Sequence, residues 1–481
     1  MMAKKGRAML YPEDFILHTG RVPSSPKVDH KYDWELKTGA NVPAYRTGST
    51  ATSLLVIGDV WDPRKPHVSQ SELIDRVANR HGTEELDDAF RSFGGRFIVI
   101  RLHPRPTVWL DACGLFELFY GIDAQGKVVC ASRPELVNGY LGQTKPSRVA
   151  VPSLDSNGWL PGRLTQYRHV FQLLPHHRLD LLTGKVSRTW PRRSVSCYEY
   201  QDCLQQVSGL LRGMAQAVIH RHPKSVVALT AGLDSRVSWA AFCVSTNRPT
   251  SFTFRYPGML DDHKDICIPP RIVSHTGGSH QLLNTPSVRE GDHSFQNHFG
   301  PDVALVNSNL LEIARAFYEF PSQLFRASVL RAYERMPNHP AINHELTTIL
   351  DELRELQRQT SWDARDLFYW EQRVAHWAAR TWRRSPVRKV NLFNCQELIE
   401  LMLSVSREHR IGSQSKFFKD LLESLVPGIT NVPINPPDGL TERVKTQLKH
   451  GRVGSLSRAM ILNIMGKVGR SRQDSNVFCN F

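Results

Sequence analysis

The sequence predicts an α/β protein whose first half is an antiparallel sheet domain and whose second half is a parallel sheet domain ending in a helical region. Three observations carry this. Short apolar runs joined by tight turns fill the stretch from about residue 54 to 190, the pattern of antiparallel strands. Beyond residue 196, strand-like and helix-like segments alternate, which implies a parallel sheet covered on both faces. Within this second half the run Ser225-Val226-Val227-Ala228-Leu229-Thr230-Ala231-Gly232-Leu233-Asp234-Ser235-Arg236 reads as strand, turn and helix start.

The elements follow in order. Residues 1 to about 50 are rich in Pro, Gly, Ser and Thr and read as a loop-rich opening. Leu54–Val60 reads as a buried strand and Glu84–Phe90 as a helix. Strands are then expected at Gly95–Ile100, Thr107–Asp111, Leu118–Gly121 and Lys127–Ser132. The pair His177–Leu181 and Lys185–Trp190 turns through Leu182-Thr183-Gly184. Leu204, Val207, Leu210, Leu211, Met214 and Val218 recur at helical spacing. A strand at Val226–Leu229, a helix at about Ser235–Val244, a strand at Ser251–Phe254, a helix at about Lys264–His275 and a strand at His280–Leu283 come next. After about residue 300 the pattern is largely helical. The aromatic cluster Phe368–Trp377 has helical spacing and reads as core, the alternative being that Glu371 and Arg373 line an acceptor pocket.

Composition narrows the class. The chain has 481 residues, 41% hydrophobic and 22% charged, which suits a globular protein of two or three domains. No apolar run approaches the roughly 18–20 residues that span a bilayer, and no apolar stretch follows the basic opening Met1–Arg7, so a cytoplasmic protein without membrane contact is expected. The eight cysteines are scattered without a CxxC pair, so neither a disulfide framework nor a zinc site is expected. The net charge is +15, and Arg443–Arg472 holds no acidic residue. That stretch reads as a solvated tail or as a contact for nucleic acid or an acidic carrier protein.

The turn after Leu229 bears the chemistry. A tight strand–turn–helix aims backbone N–H groups and a helix N-terminus at one spot, which suits an anion such as phosphate. No Gly-Lys-Ser/Thr follows, so it is not the P-loop. It resembles the Ser-Gly-Gly-x-Asp-Ser loop of ATP pyrophosphatases, which split ATP into AMP and pyrophosphate.

Across roughly residues 55 to 437 the chain resembles the asparagine synthetase-like family, whose relatives include beta-lactam synthetases and lasso-peptide cyclases. In the first half, Phe93–Val99 is similar to the family's L-x-G-x-F-A-F, Asp111–Tyr120 to D-x-x-G-x-x-P-L-Y-Y, Cys130–Leu136 to F-A-S-E-x-K-A-L, and Leu173–His177 to L-P-P-G-H. In the second half Thr230 and Ala231 stand where the family has Ser and Gly, while Gly232, Asp234 and Ser235 match. Phe252–Gly258 is similar to the adenine-reading strand and Gly277–His280 to L-G-x-x-H. Asn391–Ser404 is similar to P-F-L-D-x-x-L-V-E-F-x-x-S-L, and Lys416–Leu422 to K-x-x-L-R-x-A.

The resemblance implies an Ntn-type αββα-like glutamine amidotransferase domain over residues 1–195. An adenine nucleotide alpha hydrolase-like ATP pyrophosphatase domain over 196–440 and a basic tail over 441–481 would follow. It implies ATP and Mg²⁺ as cofactors. Leu229, Thr230, Ala231, Gly232, Leu233, Asp234, Ser235 and Phe254 would bind ATP, with Thr230 and Ser235 donating hydroxyls to phosphate and Asp234 holding Mg²⁺. The reaction implied is attack of a carboxylate on the α-phosphorus of ATP, then attack of an amine or ammonia on the acyl-adenylate with loss of AMP.

Three departures stand out. The family's glutaminase uses an N-terminal cysteine; here position 2 is Met and no cysteine precedes Cys113, so glutamine hydrolysis is not expected. In the counterpart of S-G-x-G-x-D-E-x-F-x-G-Y, Asn307–Tyr318, Leu311 replaces the second metal-binding Asp. Glu312 is then the candidate catalytic acid, with Asn307 or Asn309 as alternative metal contacts. The family's R-P-K is Val432-Pro433-Ile434, leaving Lys416 as the candidate phosphate-binding lysine. The expected partners are a carboxylate and an amine or ammonia, and a homodimer is compatible with the sequence. An RNA-modifying ATP pyrophosphatase, which would make nucleic acid a partner, and a non-catalytic nucleotide-binding descendant are the other readings.

Overall fold

A computed structural model of the protein describes residues 14–19, 34–39, 42–47, 53–80, 82–142, 159–195, 198–383, 385–412 and 415–436. The basic C-terminal stretch and the opening Met1–Arg7 lie outside the described residues. Sixteen strands are described: β1 Phe15–Thr19, β2 Trp34–Thr38, β3 Ala44–Arg46, β4 Leu54–Trp61, β5 Gly94–Arg101, β6 Thr107–Leu110, β7 Leu118–Ile122 and β8 Val128–Ala131, then β9 Phe171–Leu173, β10 His177–Asp180, β11 Val186–Arg188, β12 Ser225–Ala228, β13 Thr250–Arg255, β14 His280–Asn284, β15 Ala304–Val306 and β16 Lys389–Val390.

The first eleven make two antiparallel sheets, ordered β2-β1-β8-β7-β9 and β11-β10-β6-β5-β4-β3. β4 and β5 pair in full, from Leu54 opposite Arg101 to Trp61 opposite Gly94. Between the sheets lies one apolar layer, with Phe15, Leu17 and Leu118 from one side and Ile57, Ile98 and Val108 from the other. The outer face of the six-stranded sheet carries Val56, Phe97 and Trp109 and is covered by helices Gln70–Ala78 and Thr83–Arg91. Helix Pro134–Tyr140 covers the other sheet through Leu136 and Val137. Helix, sheet, sheet and helix thus stack in four layers, because each strand run alternates or is apolar on both faces and needs cover on each.

The second half forms a parallel sheet, ordered β14-β13-β12-β15-β16. Helices Tyr200–Arg221, Leu233–Phe242 and Lys264–Thr276 alternate with its strands, and helices dominate thereafter. The fold class predicted from the sequence is the one observed. Two local expectations need correction. The opening is not all loop, since β1, β2 and β3 fall within it; they are three to five residues long, too short for periodicity to register. The region after residue 300 also supplies β15 and β16, which extend the sheet past β12. Among the described residues no helix is long and apolar enough to cross a membrane, and the described cysteines are free thiols.

One apolar cluster runs from Trp61, Cys113 and Trp159 into the helices of the second half, so the two halves share a core. Asn394 is their polar pin. Its side chain, 1% exposed, donates to the Gly95 carbonyl and to Asp111 Oδ1 (3.0 Å) and accepts from the Cys113 N–H (3.1 Å). Asp111 in turn gathers the N–H groups of Cys113, Leu115 and Phe116. Asn394→Ala leaves buried groups on both sides unpaired, and a loss of roughly 2–4 kcal/mol is expected in urea denaturation.

Candidate functional site

The sheet order reverses between β12 and β15. Open parallel sheets bind ligands in the crevice at the carboxyl ends of the strands where this reversal occurs. The segments leaving β12 and β15 are Leu229–Leu233 and the 3₁₀ helix Asn309–Arg315, and both line that crevice.

The loop is locally determined. Leu229 and Ala231 are fully buried and seat it on the sheet, where Leu229 donates its N–H to the Phe252 carbonyl (2.8 Å). Gly232 precedes helix Leu233–Phe242 and offers no side-chain cap, so the N–H groups of the first turn remain for a ligand or solvent. The hydroxyls of Thr230 and Ser235 lie 2.9 Å apart. The Thr230 N–H donates to Ser235 Oγ (3.0 Å) and the Gly232 N–H to Thr230 Oγ1 (3.2 Å). Asp265 accepts the Ala231 N–H at 2.8 Å, closing the loop from helix Lys264–Thr276. Phe254, half-buried near the end of β13, meets Phe252 edge-on (5.0 Å) and borders the same sheet edge.

Arg236 holds the loop from beneath. It is fully buried and donates to the carbonyls of Val432 and Pro433 (2.5 and 2.6 Å), while the Asn435 N–H reaches the Ala231 carbonyl (3.0 Å). Burial lowers its pKa to about 10. The segment that lacks the family's lysine is therefore tied against the loop, and it brings Asn435 rather than a cation. Arg236 and Asn435 escaped the sequence reading, although Arg236 directly follows the motif.

The acidic part assembles across the crevice. Asp234 Oδ1 accepts from Arg315 Nη1 at 2.8 Å. Burial pushes the Asp234 carboxyl up to about 6 and Arg315 holds it down, while the nearby charge of Glu312 raises it further. Glu312 Oε2 accepts the Tyr369 hydroxyl at 2.6 Å. Burial and the Glu312 charge push that phenol well above its ordinary range. Tyr369 belongs to a π-helical turn, Tyr369–Val374, a feature frequent at functional sites. Leu311 is fully buried, so the acid facing Asp234 from this segment is Glu312.

Other sequence candidates lie elsewhere. Lys416 pairs with Asp420 and sits 4.5 Å from the Tyr200 ring, with no loop residue among those partners. Asn307 Oδ1 accepts the Asn309 N–H (2.8 Å), and Asn309 Oδ1 accepts from Asn391 (3.3 Å), so both amides serve local structure. Glu371 is 1% exposed and bound to His176 and Arg188, and Arg373 binds Glu334. A cavity of about 380 Å³ lies apart from the loop, lined by Asp87, Arg91, Trp190, Arg193 and Trp362 among others.

Asp234 and Glu312 also fit a divalent cation by donor chemistry. Mg²⁺ is commonly held by one or two carboxylates together with substrate phosphates rather than by an all-protein cage. Among the described residues no cluster of three or more His, Cys, Asp or Glu forms such a cage.

No protein-family model matches the chain, and no curated protein matches it. Among solved structures it has a remote structural link to the glutamine phosphoribosylpyrophosphate amidotransferase from B. subtilis complexed with ADP and GMP. The identity is 11%, covering 70% of this chain and 73% of that one, with a TM-score of 0.23.

Proposed function

We propose that the protein is an ATP-dependent carbon–nitrogen ligase that forms AMP. It activates a carboxylate as an acyl-adenylate and transfers the acyl group to an amine or ammonia without hydrolysing glutamine. The observation that carries the reading is the meeting of Asp234, Glu312 and an uncapped helix N-terminus at the sheet's reversal point. Backbone N–H groups of Leu233–Ser235 and the hydroxyls of Thr230 and Ser235 receive the phosphates. Phe254, near the end of β13, would contact the adenine. Asp234 would hold Mg²⁺, which when bound neutralises phosphate charge.

The substrate carboxylate attacks the α-phosphorus and pyrophosphate leaves. The amine then attacks the acyl carbonyl, loses a proton and expels AMP. Glu312, oriented by Tyr369, is the carboxylate placed to position the amine and take that proton. The donors are already in place before charge develops, which is how such sites stabilise a transition state. Lys416 enters this scheme only by leaving Asp420 and Tyr200.

The test is a screen of carboxylates for ATP–pyrophosphate exchange and for AMP release with hydroxylamine as the amine. Exchange that depends on a carboxylate is expected. Exchange that requires tRNA would assign the protein to RNA modification, and nucleotide binding without exchange would make it a non-catalytic binder.

A further inference from the structure

The 3₁₀ helix Asn309–Arg315 completes a turn every three residues, so side chains at i and i+3 eclipse. Glu312 and Arg315 therefore stand one above the other on the face toward Asp234, while Leu310, Leu311, Ile313 and Ala314 are buried in the core. Arg315 Nη1 reaches Asp234 at 2.8 Å, and the Glu312 charge acts on both groups. The guanidinium is thus paired with Asp234 beside the phosphate loop, with Glu312 one 3₁₀ turn away along the same helix. Its Nε–H is buried and has no hydrogen-bond acceptor, so the ion pair leaves one donor unmet.

We propose that Arg315 is the resident cation of this site. It holds Asp234 in the nucleotide-free protein, excludes a free divalent cation, and turns to the phosphate oxygens when nucleotide enters. This deepens the ligase reading above and rests on it for the phosphate half. The charge count explains the exclusion. Asp234 and Glu312 contribute two negative charges and Arg315 one positive, so a free divalent ion meets half the negative charge and must displace Arg315 from Asp234. A metal–nucleotide brings its own phosphate oxygens, which give the guanidinium a bidentate acceptor and free Asp234. A lysine would supply the charge without the planar fork.

The experiment uses the full chain and two variants, Arg315→Met and Arg315→Lys, each checked for an unchanged circular dichroism spectrum. Mn²⁺ binding without nucleotide is followed by electron paramagnetic resonance, and binding of a non-hydrolysable ATP analogue with Mg²⁺ by calorimetry. Arg315→Met should bind free Mn²⁺ at least tenfold more tightly than wild type and the nucleotide at least tenfold more weakly. Arg315→Lys should fall between them on both scales. Equal Mn²⁺ affinity in wild type and Arg315→Met overturns the exclusion, and equal nucleotide affinity overturns the phosphate contact. The metal titration contains no nucleotide, so it judges Arg315 independently of the ligase reading. A wild-type protein that binds no nucleotide would sink that reading and, with it, the phosphate half of this one.

Discussion

Asp234→Asn is expected to abolish AMP formation from ATP, with a loss of at least about a hundredfold on the scale of a missing electrostatic stabiliser, while the fold persists. The stability half of this expectation follows from the carboxyl's raised pKa. Its folded value of about 6 lies above the ordinary 3.8, so folding disfavours the charged form. The contribution to stability is full below about 3.8 and is lost as pH rises through about 6. A neutral amide of the same shape therefore costs little at pH 7, and the urea midpoint should stay level or rise.

The activity half has the opposite sign. The ionised carboxylate is the form that engages a cation, so metal–nucleotide affinity should fall as pH drops through about 6. The nucleotide titrates in the same range. The wild-type profile is therefore compared with that of Asp234→Asn, which retains only the nucleotide's own titration. Identical profiles would remove Asp234 from the site.

Glu371→Ala should be the most destabilising single change, with an expected loss of about 3–5 kcal/mol in urea denaturation at pH 7. The carboxylate is 1% exposed and binds His176 Nδ1 (3.0 Å) and Arg188 Nη1 (2.5 Å), and the His176 ring packs against Trp190 and Trp370. Truncation takes from Arg188 its buried partner and leaves it the half-exposed Glu352 (2.8 Å), and His176 loses its acceptor, a loss large against the 5–15 kcal/mol that holds most domains together. Burial alone would raise the Glu371 pKa, but the charge of Arg188 and the hydrogen bond from His176 outweigh it and the net shift is downward. A depressed folded pKa gives stability that is present above the ordinary 4.5 and lost as pH falls below it toward the folded value. Wild type should thus weaken on acidification from about pH 5, and Glu371→Ala should show a flatter acid limb. An alanine variant as stable as wild type would show that Glu352 alone satisfies Arg188.

The fold class was legible because the two periodicities are local. β4 through β8 and the helices of the second half each carry enough apolar residues in sequence to declare their type. β15 and β16 were not legible, since two or three residues carry no period and they become strands only beside β12. Glu312 was singled out because it matches the acidic end of a motif that the segment Asn307–Tyr318 resembles. Its relation to Asp234 depends on a 3₁₀ rather than α-helical turn, which apolar spacing in that segment does not reveal. Arg315 was given no role, and Asn394 was read only as part of the motif-like run Asn391–Ser404, because its partners lie in the other half of the chain.

By itself, then, the chain's order of residues determined a strand–turn–helix at Thr230–Ser235 with backbone donors at its helix start, since small residues, a glycine and a helix start act within one turn of backbone. Tertiary structure alone decided which charges meet that turn. Arg315 lies 81 positions from Asp234 and reaches it only because β15 was laid beside β12. Backbone donors are a short-range property of sequence, whereas a neighbour's charge is set by how distant segments pack.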